Sequence, residues 1–142
     1  MTERDLNILV VEDNDFDVKR ITRGFGKLGY DRPVIRARDG LDALEILRGE
    51  GARAKLSSPV VVLLDLNMPR LGGIEFLDEL RADPTLCNTP VFVITTSDYH
   101  KDVRQAHERQ VNGYFVKPTS SDEMVHVLRT LSDFWESCVY PE

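Results

Sequence analysis

Residues 60–69 read Val-Val-Val-Leu-Leu-Asp-Leu-Asn-Met-Pro, a continuous apolar run that ends in an acidic residue and a turn. The five apolar residues are rich in β-branched side chains and predict a strand. Because polar residues do not alternate with apolar ones, both faces of this strand are expected to be buried, as in a parallel sheet. Asp65 then follows the carboxyl end of the strand.

Other short apolar runs occur on both sides of this strand, at residues 8–11, 34–35, 91–94 and 114–116. Apolar residues at helical spacing separate them, at residues 18–28, 41–47, 74–80, 101–110 and 124–138. Ser120 and Glu123 have capping-box spacing before the last helix. Five strands alternating with five helices predict an α/β fold with a doubly wound parallel sheet covered on both faces. All carboxyl ends of the strands then share one edge, where such sheets bind ligands.

Composition restricts the class of protein. The chain has 142 residues, of which 42% are hydrophobic, and a net charge of −6. This size predicts a single domain over residues 1–142, with a core of about 6–133 and an extension at 134–142. The negative charge disfavours direct nucleic-acid binding and an anionic membrane surface. With no signal-peptide pattern, no long apolar segment and only two cysteines, a cytoplasmic protein without a membrane span is expected.

The predicted edge carries acidic residues and one lysine. Glu12 and Asp13 follow the first strand, Asp65 the third, Thr95 the fourth and Lys117 the fifth. Two carboxylates about 4 Å apart repel each other by roughly 4 kcal/mol at an intermediate dielectric. The edge therefore requires a compensating cation, which is the ammonium of Lys117, a Mg²⁺ ion or both.

Each of these residues alone has a simpler interpretation. The Asp-Asn-Asp sequence at 13–15 is typical of a helix N-cap, and Asp65 could be a turn residue before Pro69. A Lys-Pro pair alone indicates little. The functional interpretation depends on their joint occurrence at four strand ends.

Several longer motifs carry a family resemblance. They are Ile-Leu-Val-Val-Glu-Asp-Asn (8–14), Ala-Arg-Asp-Gly-Leu-Asp-Ala-Leu (37–44), Leu-Leu-Asp-Leu-Asn-Met-Pro (63–69), Gly-Gly-Ile-Glu (72–75), Val-Ile-Thr-Thr-Ser (93–97) and Gly-Tyr-Phe-Val-Lys-Pro (113–118). Together they resemble the receiver domain of two-component response regulators over about residues 6–133. The resemblance implies a flavodoxin-like fold with strand order 2-1-3-4-5.

The resemblance also implies roles for the edge residues. Asp65 would accept a phosphoryl group from a sensor histidine kinase or a phosphotransfer protein, with aspartate as the nucleophile. Mg²⁺ would be bound by Asp13, by Asp65, by the backbone carbonyl of Asn67 and, through water, by Glu12. Lys117 and Thr95 would contact phosphoryl oxygens. The protein would then be a phospho-acceptor with self-phosphorylation and dephosphorylation chemistry rather than an enzyme.

The resemblance also implies that phosphorylation changes the protein-interaction surface of the domain. Phosphorylation would draw Thr95 toward the phosphoryl group and free space for the ring of Tyr114, which changes the surface offered to a downstream protein. Tyr114 could instead be an ordinary packed aromatic residue. Because no output domain is predicted after the last helix, the receiver itself would deliver the signal.

The last helix ends in aromatic residues that a sheet of this size is not expected to cover. Phe134, Trp135 and Tyr140 either fold back on their own domain or form an exposed interface, and we expect the interface. This ending, the Thr-Thr-Ser motif and the loop at 50–58 are similar to single-domain regulators that are encoded with bacterial phytochrome kinases. That resemblance implies a partner kinase of this class and a homodimer through the last helix and tail.

Two other classes of protein share features of this pattern. A flavin-binding electron carrier would need a Ser/Thr/Gly-rich phosphate loop after the first strand, where Glu12 and Asp13 stand. A metal-dependent phosphohydrolase with an aspartyl nucleophile would place a second acid two residues after it, where this chain has Asn67. Neither required site chemistry is present.

Overall fold

The core of the structure is a parallel five-stranded sheet. The structure is a computed structural model that describes residues 6–51, 56 and 59–138. The strands are β1 (Asn7–Val11), β2 (Ile35–Ala37), β3 (Val60–Leu64), β4 (Val91–Thr95) and β5 (Gly113–Val116). Their order is β2-β1-β3-β4-β5, and every pairing is parallel. The predicted fold and strand order are confirmed.

Five helices connect and follow the strands. They are α1 (Asp15–Lys27), α2 (Gly40–Arg48), α3 (Gly73–Ala82), α4 (His100–Glu108) and α5 (Ser121–Ser137). Predicted boundaries differ by a few residues, most clearly in the second strand, because pairing with Leu9–Val11 extends it to Ala37. The predicted Ser120 cap is confirmed, since its hydroxyl accepts a hydrogen bond from the Glu123 amide at 3.1 Å. No helix in the described part of the chain is long and apolar enough to cross a membrane.

The two faces of the sheet support separate apolar clusters. Alternate residues of a strand point to opposite faces, so Val62 and Leu64 pack toward α2 and α3, whereas Val61 and Leu63 pack toward α1 and α5. β3 is thus buried on both sides, as its composition predicts.

Two glycines permit close contacts between neighbouring elements. A Cβ at Gly24 on α1 would lie 2.5 Å from Cδ1 of Leu128 on α5, and one at Gly73 would lie 2.6 Å from Cα of Leu66. Any side chain at these positions would force a neighbouring atom to move. Gly73 therefore lets α3 begin directly against the loop that carries Asp65.

The aromatic residues at the end of α5 differ in exposure, contrary to the prediction that they form one exposed interface. Trp135 is only 4% exposed and packs against Phe25 and Phe92, with ring centroids 5.8 and 6.1 Å apart. The prediction that Trp135 is an exposed interface residue is therefore wrong, because α1 and α5 pack closely enough to enclose it. Phe134, on the adjacent side of the helix, is 46% exposed. Tyr140 lies outside the described residues.

Candidate functional site: an acidic cleft at the carboxyl edge of the sheet

Three carboxylates converge at the centre of the sheet edge. Glu12 and Asp13 follow β1, and Asp65 follows β3, whose last residue pairs with the last residue of β1. One carboxylate oxygen from each residue lies within 4.8 Å of the other two. Glu12 and Asp65 are buried, whereas Asp13 is exposed. The predicted convergence is confirmed, and the cluster opens to solvent on the Asp13 side.

Lys117 enters this cluster from the end of β5. Its ammonium Nζ lies 2.8 Å from Oε1 of Glu12 and 3.4 Å from Oδ2 of Asp65, and its side chain is 8% exposed. The amide of Lys117 donates to the carbonyl of Thr95 at 2.7 Å, which continues the pairing of β5 with β4. The predicted compensating cation is thus present, and its backbone is anchored to the sheet.

Thr95 connects β4 to the same carboxylate. The residue is fully buried, and its hydroxyl donates a 2.7 Å hydrogen bond to Oδ1 of Asp65. The amide of Asn67 lies 3.3 Å from that oxygen. Both oxygens of Asp65 therefore face hydrogen-bond donors, from Thr95 and Asn67 on one side and from Lys117 on the other.

Sequence reasoning missed Asp17, which lies on the first turn of α1. Its Oδ2 accepts from the Lys117 ammonium at 2.8 Å, and its Oδ1 accepts from Arg20 at 3.0 Å. Arg20 also donates to the carbonyl of Pro118 at 2.9 Å. Asn14 caps α1 by accepting from the Asp17 amide at 3.0 Å. The sequence carries no local signal for this contact, because Lys117 lies 100 residues further along the chain and only the fold brings the two side chains together.

Burial and pairing shift the pKa values within the cluster. Burial raises the pKa of Glu12 to about 7, although a hydrogen bond from Lys117 opposes this. Burial alone would lower the pKa of Lys117, but hydrogen bonds to Asp17 and Glu12 and the charge of Asp65 raise it above its usual value. For Asp17, burial is outweighed by the hydrogen bonds from Lys117 and Arg20, so its pKa is lowered. Lys117 is therefore charged throughout the physiological range.

Tyr114 is anchored at the side of the site. It lies on β5, where it is half-buried against the α2–α3–α4 side of the core, and its hydroxyl donates to the carbonyl of Ser97 at 2.8 Å. Ser97 lies two residues after Thr95. The two predicted switch residues thus lie on adjacent strands, and Tyr114 is hydrogen-bonded to the loop that follows Thr95.

An ion pair between Asp39 and Arg70 extends the site toward α2. Asp39 is 4% exposed, caps α2 by accepting from the Asp42 amide, and accepts from Arg70 Nε at 2.6 Å. Arg70 has a φ of 61°, in the left-handed region that glycine usually occupies. This pair of Asp39 and Arg70 connects the loop after β3 to the start of α2, and no sequence pattern predicted it.

The donor set of the cleft suits a divalent cation. Mg²⁺ and similar hard cations prefer carboxylate and carbonyl oxygens. Two of the three carboxylates, those of Glu12 and Asp65, are buried beside each other, and burial raises the pKa of Glu12 even with the Lys117 ammonium 2.8 Å away. Glu12, Asp13 and Asp65 therefore fit a bound metal ion.

Comparisons with known proteins agree with this geometry. Among curated relatives, the probable methanogenesis regulatory protein FilR2 of Methanothrix harundinacea is 37% identical over 129 residues, which is 90% of this chain and 82% of that protein. The response regulator Rcp1 of Synechocystis sp. strain PCC 6803 is 34% identical over 128 residues, covering 90% and 87% of the two chains.

Solved structures give the same result. The phosphorylated cyanobacterial phytochrome response regulator RcpA superposes with a TM-score of 0.88 at 34% identity, covering 96% of this chain and 98% of that one. The Mn²⁺-bound form of Rcp1 gives a TM-score of 0.84 at 32% identity, covering 98% and 100%. The expected similarity to phytochrome response regulators is therefore confirmed.

The profile of the response regulator receiver domain matches residues 8–129, which include every candidate residue of the cleft. A receiver domain implies a histidine kinase or a phosphotransfer protein as a partner. The chain belongs to the response regulator receiver domain family.

Proposed function

We propose that this protein is a phosphorelay response regulator in which Asp65 accepts a phosphoryl group from a sensor histidine kinase. The observation that carries the proposal is the environment of the Asp65 carboxylate. Its oxygens face Thr95 and Lys117 at 2.7 and 3.4 Å, and it belongs to the cluster with Glu12 and Asp13. Groups that can bind phosphoryl oxygens thus surround one buried acceptor.

The transfer step is a nucleophilic substitution at phosphorus. An oxygen of Asp65 attacks the phosphorus of the phosphohistidine, and the bond between phosphorus and the donor imidazole nitrogen breaks. The electron pair leaves with the imidazole, which is then free to take up a proton. Asp65 becomes an acyl phosphate, so the receiver is a reactant that is consumed once per transfer rather than an enzyme that turns over.

Mg²⁺ would be held by Asp13, Asp65 and the backbone carbonyl of Asn67, with Glu12 contributing through water. When bound, the ion supplies charge neutralisation for the phosphoryl oxygens. Lys117 is 8% exposed and charged in the physiological range, and it would add a second cation to the same oxygens. The existence of a Mn²⁺-bound form of Rcp1 supports a divalent ion for this protein too.

The switch would begin at Thr95. Its hydroxyl bonds Asp65, and a phosphoryl group there would offer stronger acceptor oxygens than the carboxylate does. Any shift of Thr95 moves the loop whose Ser97 carbonyl holds the Tyr114 hydroxyl. The surface formed by α4, β5 and α5 would carry the change to a downstream protein.

Similarity to the phytochrome response regulator RcpA supports a phytochrome-type histidine kinase as the donor. The proposal places the transfer in the cytoplasm, which is consistent with a small receiver domain. A homodimer through the last helix remains part of the proposal. With Trp135 buried, its support is Phe134 on α5 and Val116 on the edge strand β5, which are 46% and 48% exposed.

The proposal is tested by intact-mass measurement after incubation with Mg²⁺ and acetyl phosphate. Wild-type protein is expected to gain one phosphoryl group, and Asp65→Asn is expected to gain none. Chelation of divalent ions should suppress the gain. Absence of uptake by the wild type, or equal uptake by Asp65→Asn, would overturn the proposal.

A further inference from the structure

Asp17 joins the phosphoryl site to α1 without belonging to the carboxylate cluster. In the described part of the chain, the cluster that can hold a metal contains Glu12, Asp13 and Asp65. The contacts of Asp17 are with cations instead, at 2.8 Å to Lys117 and 3.0 Å to Arg20. Its side chain is 12% exposed.

The lysine ammonium has three hydrogens to donate. Its two short contacts, both 2.8 Å, are with Glu12 and Asp17, whereas the contact with Asp65 is 3.4 Å. Two carboxylates therefore fix the position of the ammonium from two directions. The third hydrogen is left for the oxygens at Asp65.

Asp17 is itself held in place. Its amide donates to the capping side chain of Asn14, and its second oxygen binds Arg20. Arg20 has a side-chain exposure of 8% and reaches the carbonyl of Pro118, directly after Lys117. The first two turns of α1 therefore contact the residues after β5 twice, at the Lys117 side chain through Asp17 and at the Pro118 carbonyl through Arg20.

We infer that Asp17 is a positioning residue for phosphoryl transfer, which holds the Lys117 ammonium where it can meet a phosphoryl oxygen on Asp65. The inference rests on the proposed function of Asp65. Because Asp17 accepts from Lys117 with one oxygen and from Arg20 with the other, an amide cannot replace it at both contacts. A lysine held only by Glu12 would lose one of its two short contacts.

The consequence for the rate follows from the sensitivity of transfer to geometry. A displacement of about 1 Å in a positioned group can slow a reaction by up to roughly a hundredfold. For Asp17→Asn we expect phosphoryl uptake about tenfold slower at saturating Mg²⁺. The Mg²⁺ concentration for half-maximal rate should change little, since Asp17 is not a member of the metal cluster.

The experiment compares wild type, Asp17→Asn, Asp17→Glu and Asp122→Asn by the rate of phosphoryl uptake from acetyl phosphate. Asp17→Glu keeps a carboxylate for both cations and should recover most of the rate. Asp122→Asn is the matched control, because Asp122 is an exposed aspartate on the first turn of another helix, α5. Its rate should equal that of the wild type.

Nuclear magnetic resonance of the lysine side chain supplies a readout that does not depend on transfer. In the wild type, a scalar coupling across the hydrogen bond should connect Lys117 Nζ to Asp17 Cγ, and the ammonium signal should be protected from solvent exchange. That protection should be lost in Asp17→Asn. The coupling needs no variant, so the inference stays testable even if Asp17→Asn does not fold.

The outcomes separate the two proposals. If wild-type protein takes up no phosphoryl group, the proposed function fails and the inference fails with it. If the wild type is phosphorylated but Asp17→Asn reacts at the same rate, only the inference is overturned. A rate loss that disappears at saturating Mg²⁺, or the absence of the coupling in the wild type, would also overturn it.

Discussion

The hydroxyl of Thr95 donates a 2.7 Å hydrogen bond to Oδ1 of Asp65, across the boundary between β4 and the loop after β3. Both residues are buried, with exposures of 0% and 5%. In the unmodified chain, Asp65 is therefore linked to β4, the strand that pairs with the Tyr114-bearing strand β5. A change in charge at Asp65 acts directly on that link.

Thr95→Ala is expected to prevent a change at Asp65 from reaching the surface formed by α4, β5 and α5. The variant lacks the hydroxyl that would follow a phosphoryl oxygen, so amide resonances in α4 and β5 should change little when beryllofluoride, a phosphoryl mimic, is added. Thr95→Ser keeps the hydroxyl and should respond as the wild type does. Loss of a hydrogen bond to a charged group should also lower the free energy of unfolding by about 1–3 kcal/mol. A wild-type response in Thr95→Ala would contradict the assigned role.

Asp13→Asn should weaken metal binding while making the metal-free fold more stable. Asp13 is exposed and repels Glu12 and Asp65, so its neutralisation relieves like-charge repulsion. The loss of a carboxylate ligand should reduce Mn²⁺ affinity by at least about tenfold, as changes even in supporting groups can. Calorimetric titration and urea denaturation with a chelator measure the two effects.

Asp31→Asn is the matched control for this variant, because Asp31 is an exposed aspartate before β2, at the opposite edge of the sheet. It should not change Mn²⁺ affinity. Equal affinities of Asp13→Asn and wild type would rule out Asp13 as a ligand.

The metal-free protein should lose stability as pH rises, because of Glu12. Its pKa is about 7 in the folded chain against an ordinary value of 4.5, so the folded state keeps a proton that the unfolded chain releases between these values. This group therefore lowers the free energy of unfolding by on the order of 3 kcal/mol between pH 4.5 and 7. Urea denaturation at several pH values in this range measures the slope of the free energy of unfolding against pH.

Glu12→Gln should remove that slope, whereas Glu45→Gln, on the exposed side of α2, should keep it. Added Mg²⁺ should stabilise the wild type most at the alkaline end, where Glu12 is ionised. An unchanged slope in Glu12→Gln would show that another group is responsible.

The two adjacent aromatic residues of α5 should behave differently. Trp135→Ala removes a buried ring packed on Phe25 and Phe92 and should lower the free energy of unfolding by about 3–5 kcal/mol. Phe134 is half-exposed, so Phe134→Ala should cost less stability and reduce self-association. Light scattering at micromolar concentration measures the second effect. A monomeric wild type, with and without beryllofluoride, would refute the proposed homodimer.

Patterns along single segments predicted most of the fold. The unbroken apolar run at 60–64 predicted a strand buried on both faces, and the residues after each strand predicted the acidic edge. Contacts between segments far apart in the chain could not be predicted in this way. The enclosure of Trp135 depends on the close approach of α1 and α5 at Gly24, and the pair between Asp39 and Arg70 depends on the path of two loops. The role of Asp17 likewise depends on a contact with Lys117, which lies 100 residues away in the chain.

The central claim is that Asp65 itself carries the phosphoryl group, and reductive trapping tests it most directly. Protein incubated with Mg²⁺ and acetyl phosphate is treated with borohydride, which converts an aspartyl phosphate into homoserine, and its peptides are then mapped by mass spectrometry. We predict homoserine at position 65 and at no other aspartate. Homoserine at another position, or an unmodified residue 65 in protein that has gained a phosphoryl group, would contradict the account.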